Sequence, residues 1–393
     1  MARICKLSEK TVRSRSDLPL FCNPVFLFFV NWVAMLVTLA IQVTYVSYPD
    51  LWLPVGLFVL SSLAMLAGYY ATKLLLNRRN GERSEPARFL LDVRQLAHLN
   101  MIFCAVALLI ILFNWVNEGP PPAVGDPTSY LTYGRFRQLL FPLLTVITVN
   151  AFLDTSRLRK LFFAGFGMFW LAIYITRGLM VLTFLEVFFV FAMTTKISRR
   201  KLYLLSLGGV AVIIAGATLI GNIRTAHAVF LAFLQIREKY VDWPMASLWL
   251  TSYVSIPLSN LCWMLKTIPY HGPTFAFVYP LLPSFLAPVD PHLAIHSDLR
   301  IIDGASTYLS EYVLDFSYLG AYIPNILIGS ASAWVVERGL PRQFLVSAIF
   351  LTCISFICFS DMFAPLSTLI QVLIQSVVQK RCLHWEPVTP GEV

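Results

Sequence analysis

The sequence predicts an all-α, polytopic membrane protein of about ten transmembrane helices, organised as one integral-membrane domain over residues 1–393. Two observations carry that prediction. Hydrophobic residues make up 58% of the chain and charged residues only 13%, against about 25% charged in soluble domains. Apolar runs also recur at the roughly 20-residue length that a helix needs to cross hydrocarbon. A soluble globular fold is excluded.

The first 20 residues, "MARICKLSEKTVRSRSDLPL", are basic, but the apolar run after them is too long for a signal peptide and lacks a small-residue cleavage site. It reads as a retained first span. Predicted spans cover 24–45, 51–75, 98–116, 138–154, 161–176, 178–195, 202–221, 316–335, 344–359 and 364–379. The run 161–195 would make a single helix of about 50 Å. A break at "TRG" divides it into two short spans, with Gly178 free to take the turn conformation. Arg177, costly in hydrocarbon when unpaired, is thereby lifted to a hairpin tip at one membrane face.

Sidedness follows from Lys and Arg. With the N-terminus inside, all but eight of the 30 basic residues fall on the cytoplasmic side, and both termini lie there. The eight are Arg135, Arg137, Arg177, Arg224, Arg237, Lys239, Lys266 and Arg300. The net charge of +9 is thus topological, and no nucleic-acid partner is expected. Residues 246–265 are uncharged and could span, and 272–289 are apolar but broken by prolines. One extra span would carry the basic C-terminus outside, so none or two are expected, with these segments interfacial or re-entrant. A large external region, 222–315, results; loops of such length are usually functional. The seven cysteines show no metal-like spacing. Phosphate-loop, HExxH, CxxC and GxSxG motifs are absent from the sequence.

Three external arginines abut apolar spans: Arg177, Arg224 in "GNIRTAHAVF", and Arg300 in "HSDLRIIDGASTYLSEYVLDFSYLG". Guanidinium presents a permanently charged donor fork suited to phosphate oxygens; the plainer alternative is that each anchors a helix end by snorkelling. An acidic group, Asp290, Asp298, Asp303, Glu311 and Asp315, precedes the eighth span. Glu311 and Asp315, four apart, would share one helix face, and a carboxylate there could take a proton from a sugar hydroxyl. His227, His271, His292 and His296 are alternative bases. Glu186 lies inside the sixth span and reads as a polar tie within the bundle. External aromatics, Trp243 and Trp249 among them, form an interfacial belt or stack on sugars.

"YITRGLMVLTF", "GNIRTAHAVF", "YVSIPLSNL" and "GASTYLSEYVLDFSYLGAYIPNILIG" together resemble the bacterial oligosaccharide-repeat-unit polymerases, the O-antigen (Wzy) polymerases, over roughly 160–335. Asp315, Phe316 and Gly320 fit the D-F-G-x-x-G part of the family's T-x-x-x-x-x-x-D-F-G-x-x-G entry into a late span; Thr307 stands one residue farther from Asp315 than that spacing, and Gly329 follows within the span. Ser317 stands where glycine is usual, a departure that bears on the local turn. The arginine-to-distant-glycine loop motifs of some members have no clean counterpart.

The resemblance implies a GT-C-like glycosyltransferase of the bacterial inner membrane with its active face periplasmic. It would move a growing glycan from undecaprenyl pyrophosphate onto a new lipid-linked repeat unit, with no cofactor and no metal. The product would be a surface polysaccharide such as O-antigen. Implied partners are undecaprenyl-pyrophosphate-linked oligosaccharides, membrane lipids, a chain-length regulator (a polysaccharide co-polymerase) and the flippase of the same pathway. Arg177 and Arg224 fall on the family's two periplasmic arginine positions and, with Arg300, would hold the pyrophosphate. Asp315, Glu311 and Asp303 are the candidate bases, in that order. Two rivals stand beside this. An O-antigen ligase shares the donor, accepts on lipid A core and typically relies on an external histidine such as His227. A lipid-linked oligosaccharide transporter would show intramembrane charges along a path and broken helices in both halves.

Overall fold

The computed structural model describes residues 7–11, 18–79, 87–126, 133–195, 197–224, 235–268, 272–282, 307–339, 343–358, 362–363 and 365–387. Over these the chain is helical, with helices α1 (Pro24–Ile41), α2 (Trp52–Arg79), α3 (Val93–Glu118), α4 (Arg137–Leu153), α5 (Arg157–Ile173), α6 (Arg177–Thr194) and α7 (Arg199–Arg224). They are followed by α8 (Met245–Thr267), α9 (Ser310–Phe316), α10 (Tyr322–Trp334), α11 (Phe344–Ser355) and α12 (Leu366–Cys382). Each of the ten predicted spans coincides with a helix. Among the described residues four stretches suffice, by length and composition, to cross a bilayer: Pro24–Ile41, Trp52–Asn77, Val93–Glu118 and Ser310–Arg338. Several long apolar helices make this a membrane-embedded helical protein.

The helix ends follow local chemistry. Asn23 caps α1, its side chain accepting from the Val25 and Phe26 N–H groups ahead of Pro24. Asp92 caps α3 by accepting from Arg94 and Gln95, each at 3.0 Å. Between α4 and α5, Asp154 accepts from Ser156 N at 2.8 Å and from two guanidinium nitrogens of Arg159 at 2.8 and 2.9 Å. Between α5 and α6 the break falls at Tyr174–Thr176, one turn before the expected glycine. Ile175 takes the left-handed conformation (φ 54°) and Gly178 is helical. The Thr176 hydroxyl ties the turn down by donating to Leu171 O at 2.8 Å, so tertiary and side-chain bonds, not glycine freedom, set the corner.

α4 is the hub. It is buried from Leu140 to Ala151 and packs on α3, α5, α6 and α12, which is why it is apolar all round. The tightest crossing joins α2 and α10. A Cβ on Gly68 would overlap the Ile326 carbonyl, and one on Gly329 the Met65 carbonyl. Only small residues permit such backbone approach between apolar helices.

Three short strands, β1 (Leu7–Thr11), β2 (Ala87–Asp92) and β3 (Leu383–Pro387), form an antiparallel sheet in the order β1-β2-β3. Leu7 pairs with Asp92 and Leu91 with Leu383. The N-terminus, the α2–α3 connection and the C-terminus therefore meet at one end of the bundle. β2 runs into α3 and α12 runs into β3, and Cys22 before α1 shares a core with Phe89, Leu91 and Leu383. Lys73 near the end of α2 lies 3.7 Å from Glu337 beyond α10. α1 and α3 thus start at the sheet end, and α2, α10 and α12 finish there. The connections 42–51, 119–126 with 133–136, and 174–176, the segment 272–282 and the helix α9 belong to the far end.

Candidate functional site

Two clusters at the far end carry the polar chemistry. The first surrounds the α5–α6 corner. Asn114, fully buried in the last turns of α3, accepts from Arg135 N at 3.0 Å and donates to Arg135 O at 3.1 Å and the Tyr174 hydroxyl at 3.5 Å. Glu118 accepts from Gly134 N at 2.5 Å and lies 3.6 Å from the Arg135 guanidinium. The Tyr133 hydroxyl donates to Gly119 O at 2.7 Å, and burial, with Tyr174 and Glu118 adding, pushes that phenol up to about 12. The Arg137 guanidinium sits 5.3 Å over the Phe141 ring. A bond from Ala123 N to Ile173 O, 3.0 Å, clamps the 119–126 turn onto the corner. Arg177 opens α6 immediately after this corner, and its side chain lies outside the described residues.

The second cluster is built on Asp315, fully buried in α9. Its Oδ1 accepts from the Thr274 N–H (2.7 Å) and hydroxyl (2.5 Å), and its Oδ2 from the Phe277 N–H (3.3 Å). One carboxylate thereby fixes the 272–282 segment onto α9. Phe277 stacks on Tyr312 at 5.1 Å and abuts Phe316 at 5.7 Å. Gly320 is required by contact, because a Cβ there would run into the Tyr312 carbonyl. Ser317 turns the chain at φ 53°, ψ −142°, a conformation that glycine adopts without strain. The serine thus occupies a glycine backbone position. Thr307 accepts from Leu309 N at 3.3 Å through its hydroxyl, and the Tyr308 hydroxyl donates to Asn325 at 2.6 Å.

Of the expected site residues, Glu311 lies half-buried one turn before Asp315 on α9. Arg224 ends α7 with its side chain outside the described residues. Arg300, Asp303, Asp290, Asp298, His227, His271, His292 and His296 lie outside the described residues altogether. No described hydrogen bond or ion pair joins the Asp315 cluster to the α5–α6 corner. Arg135 and Arg137 counted in the sequence only as external charges; Asn114, a polar residue inside an apolar run, was the signal for the corner they build.

Glu186 is buried at mid-length of α6 and accepts a short hydrogen bond from Gln371 of α12. Gln375, one turn on and fully buried, lies beside the same carboxyl without completing a hydrogen bond among the described residues. Nearby, the Thr145 and Thr183 hydroxyls pair at 3.0 Å across α4 and α6. A narrow polar seam thus runs inside the bundle. No group of three His, Cys, Asp or Glu suited to a metal occurs among the described residues.

Comparison with family models, with curated proteins and with solved structures returns no match.

Proposed function

We propose that the chain is an integral-membrane, GT-C-like polymerase of the bacterial inner membrane, which joins undecaprenyl-pyrophosphate-linked oligosaccharide repeat units into a surface polysaccharide. Its active end is the one away from the sheet. The observation that carries this reading is the α5–α6 corner: Arg177 opens α6 next to the segment that carries Arg135 and Arg137, three arginines against one acid, Glu118, among the described residues there. Fixed guanidinium groups suit a pyrophosphate leaving group, because they stabilise the charge that develops as its bond to the sugar breaks. In that step the acceptor hydroxyl attacks the anomeric carbon of the donor glycan. The C–O bond to pyrophosphate breaks, its electron pair leaves with undecaprenyl pyrophosphate, and the hydroxyl proton passes to a carboxylate. Asp315 already accepts three hydrogen bonds that hold 272–282, which favours Glu311 as base and Asp315 as its positioning neighbour, with Asp303 the third candidate. Arg224 and Arg300 complete the proposed pyrophosphate set.

Ten crossings with both termini inside agree with the sheet. Strands sharing a sheet lie on one side of a bilayer, so crossings between Asp92 and Leu383 come in an even number. The helices α3 to α7, α10, α11 and α12 supply eight. α8 then adds none, or crosses with a partner. Its two ends both reach the α1–α2 connection: Leu248 clusters with Val43, and Trp263 donates to Val46 O at 3.1 Å. That arrangement favours an interfacial or re-entrant α8.

A transporter reading draws on Glu186 and its glutamines. One experiment separates the readings: purified protein in liposomes with lipid-linked repeat units and neither metal nor nucleotide. A polymerase yields a ladder spaced by one repeat. A single transfer, seen only when lipid A core is added, would indicate a ligase; movement of substrate without new bonds would indicate a transporter.

A further inference from the structure

The sheet end carries a second feature that the proposed reaction does not use. Between the first turns of α3 and α5 lies a cleft of about 470 Å³, open to the outside of the bundle. It is lined by Met101, Leu158, Phe162 and Phe163, and by the carbon portions of His98 and Arg159, whose polar ends lie at the mouth and not inside. Leu158 is 79% exposed and Phe162 and Met101 54% each, so these three are apolar surface facing whatever surrounds the helices, while the buried Phe163 forms the floor.

Among the described residues, basic groups outnumber acids at the mouth. Arg94 stands four residues before His98 and so shares its face of α3; both are exposed. Arg159 is fixed from below, with Nε and one terminal nitrogen held by Asp154, while its side chain stays 44% exposed. Arg157 and Lys160 flank it on α5. Among the described residues, two nearby acids are committed: Asp92 caps α3 and Asp154 holds Arg159. The burial of Asp154 works to raise its carboxyl, but the Arg159 bonds and the Ser156 N–H outweigh this and hold it below the usual range. Asp154 therefore stays ionised and keeps the guanidinium aimed.

An apolar slot between two helices, rimmed by Arg94, His98 and Arg159 at the level where those helices leave the hydrocarbon, has the chemistry of a phospholipid with a negative headgroup. We propose that the cleft holds an anionic phospholipid of the leaflet bordering the sheet, one acyl chain lying between α3 and α5 and its phosphate on the three basic groups. A free phosphate would leave the aromatic and aliphatic walls uncovered, and a zwitterionic lipid would leave the basic rim uncompensated. The site sits at the opposite end of α3 from Asn114 and the arginine corner, so lipid here braces the α3–α4–α5 unit without entering the reaction.

The test is native mass spectrometry of the detergent-purified protein, titrated with phosphatidylglycerol and with phosphatidylcholine of the same acyl chains. Tighter binding of phosphatidylglycerol is expected. Arg94→Gln should weaken it about fivefold, as expected for removal of one interfacial charge. Met101→Trp, which fills the slot and leaves the charges, should weaken both lipids. Arg200→Gln, a change at an exposed basic residue of the same end outside the cleft, should change neither. Equal affinity for the two lipids, an effect of Arg200→Gln as large as that of Arg94→Gln, or displacement of phosphatidylglycerol by a polyprenyl phosphate would overturn the proposal.

Discussion

The two ends of the bundle are held together by different means. At the sheet end, three segments far apart in sequence pair backbone to backbone over a shared apolar core containing Phe89, Leu91, Phe344 and Leu383. At the far end, side chains bond to loop backbones: Asn114 and Glu118 hold residues 134–135, and Asp315 holds residues 274–277. Backbone pairing tolerates substitution, whereas a side chain clamping a loop tolerates little. On the proposed reading, a site whose side chains are fixed in loops yet admit a large glycan is better served by the second kind of construction.

That contrast is broken or sharpened by substitution, starting with the largest expected effect. Arg177→Ala should lower polymerisation a hundredfold or more, the scale for losing one preorganised donor to developing charge, with unchanged melting in detergent. Retained ladder synthesis by a well-folded variant would remove the arginine corner from the account. Gly329→Val drives a side chain into the Met65 carbonyl at the α2–α10 crossing and should cost about 3 kcal/mol or more of stability, seen as a large fall in melting temperature. Asp315→Asn turns one acceptor into a donor facing N–H groups and should cost about 1–3 kcal/mol. Faster proteolytic cutting within 272–282 than at the sheet end would locate the loss.

A smaller gain is expected from Ser317→Gly, which relieves the positive φ and should stabilise the fold by about 1 kcal/mol. The smallest effect lies in pH. Asp154 is held below its ordinary pKa, so its contribution is present above the usual carboxylate value, about 4, and is lost as pH falls through the lowered one. Comparison of melting against pH for the wild type and Asp154→Asn should show the two curves converging on acidification. Parallel curves would mean that Asp154 contributes nothing through its charge.

The helices were legible because a bilayer demands long apolar runs, and those at 24–45 or 98–116 admit few other readings. The sheet was not. "LSEKT", "ARFLLD" and "LHWEP" are short, mixed in polarity and separated by up to hundreds of residues, so no local period announces them. The hairpin break was read correctly in place but assigned to the wrong residue: Gly178 could turn, yet Ile175 does, because Thr176 and Tyr174 are fastened from outside the turn. Asp315 was visible as an acid in a motif; that it clasps residues 274–277 depends on a contact 41 residues away in sequence, which no spacing rule conveys. The same holds for Asn114 and Arg135.

The central claim is that the two ends face opposite sides of a membrane and that the chemistry belongs to the end without the sheet. With Cys5 replaced by serine and the six buried cysteines left in place, one cysteine introduced at Pro273 or at Lys380 can be probed in intact cells with a membrane-impermeant maleimide. The account predicts labelling at 273 from outside and at 380 only after the membrane that holds the protein is opened. Equal labelling of both positions in intact cells, or labelling of 380 alone, would contradict it.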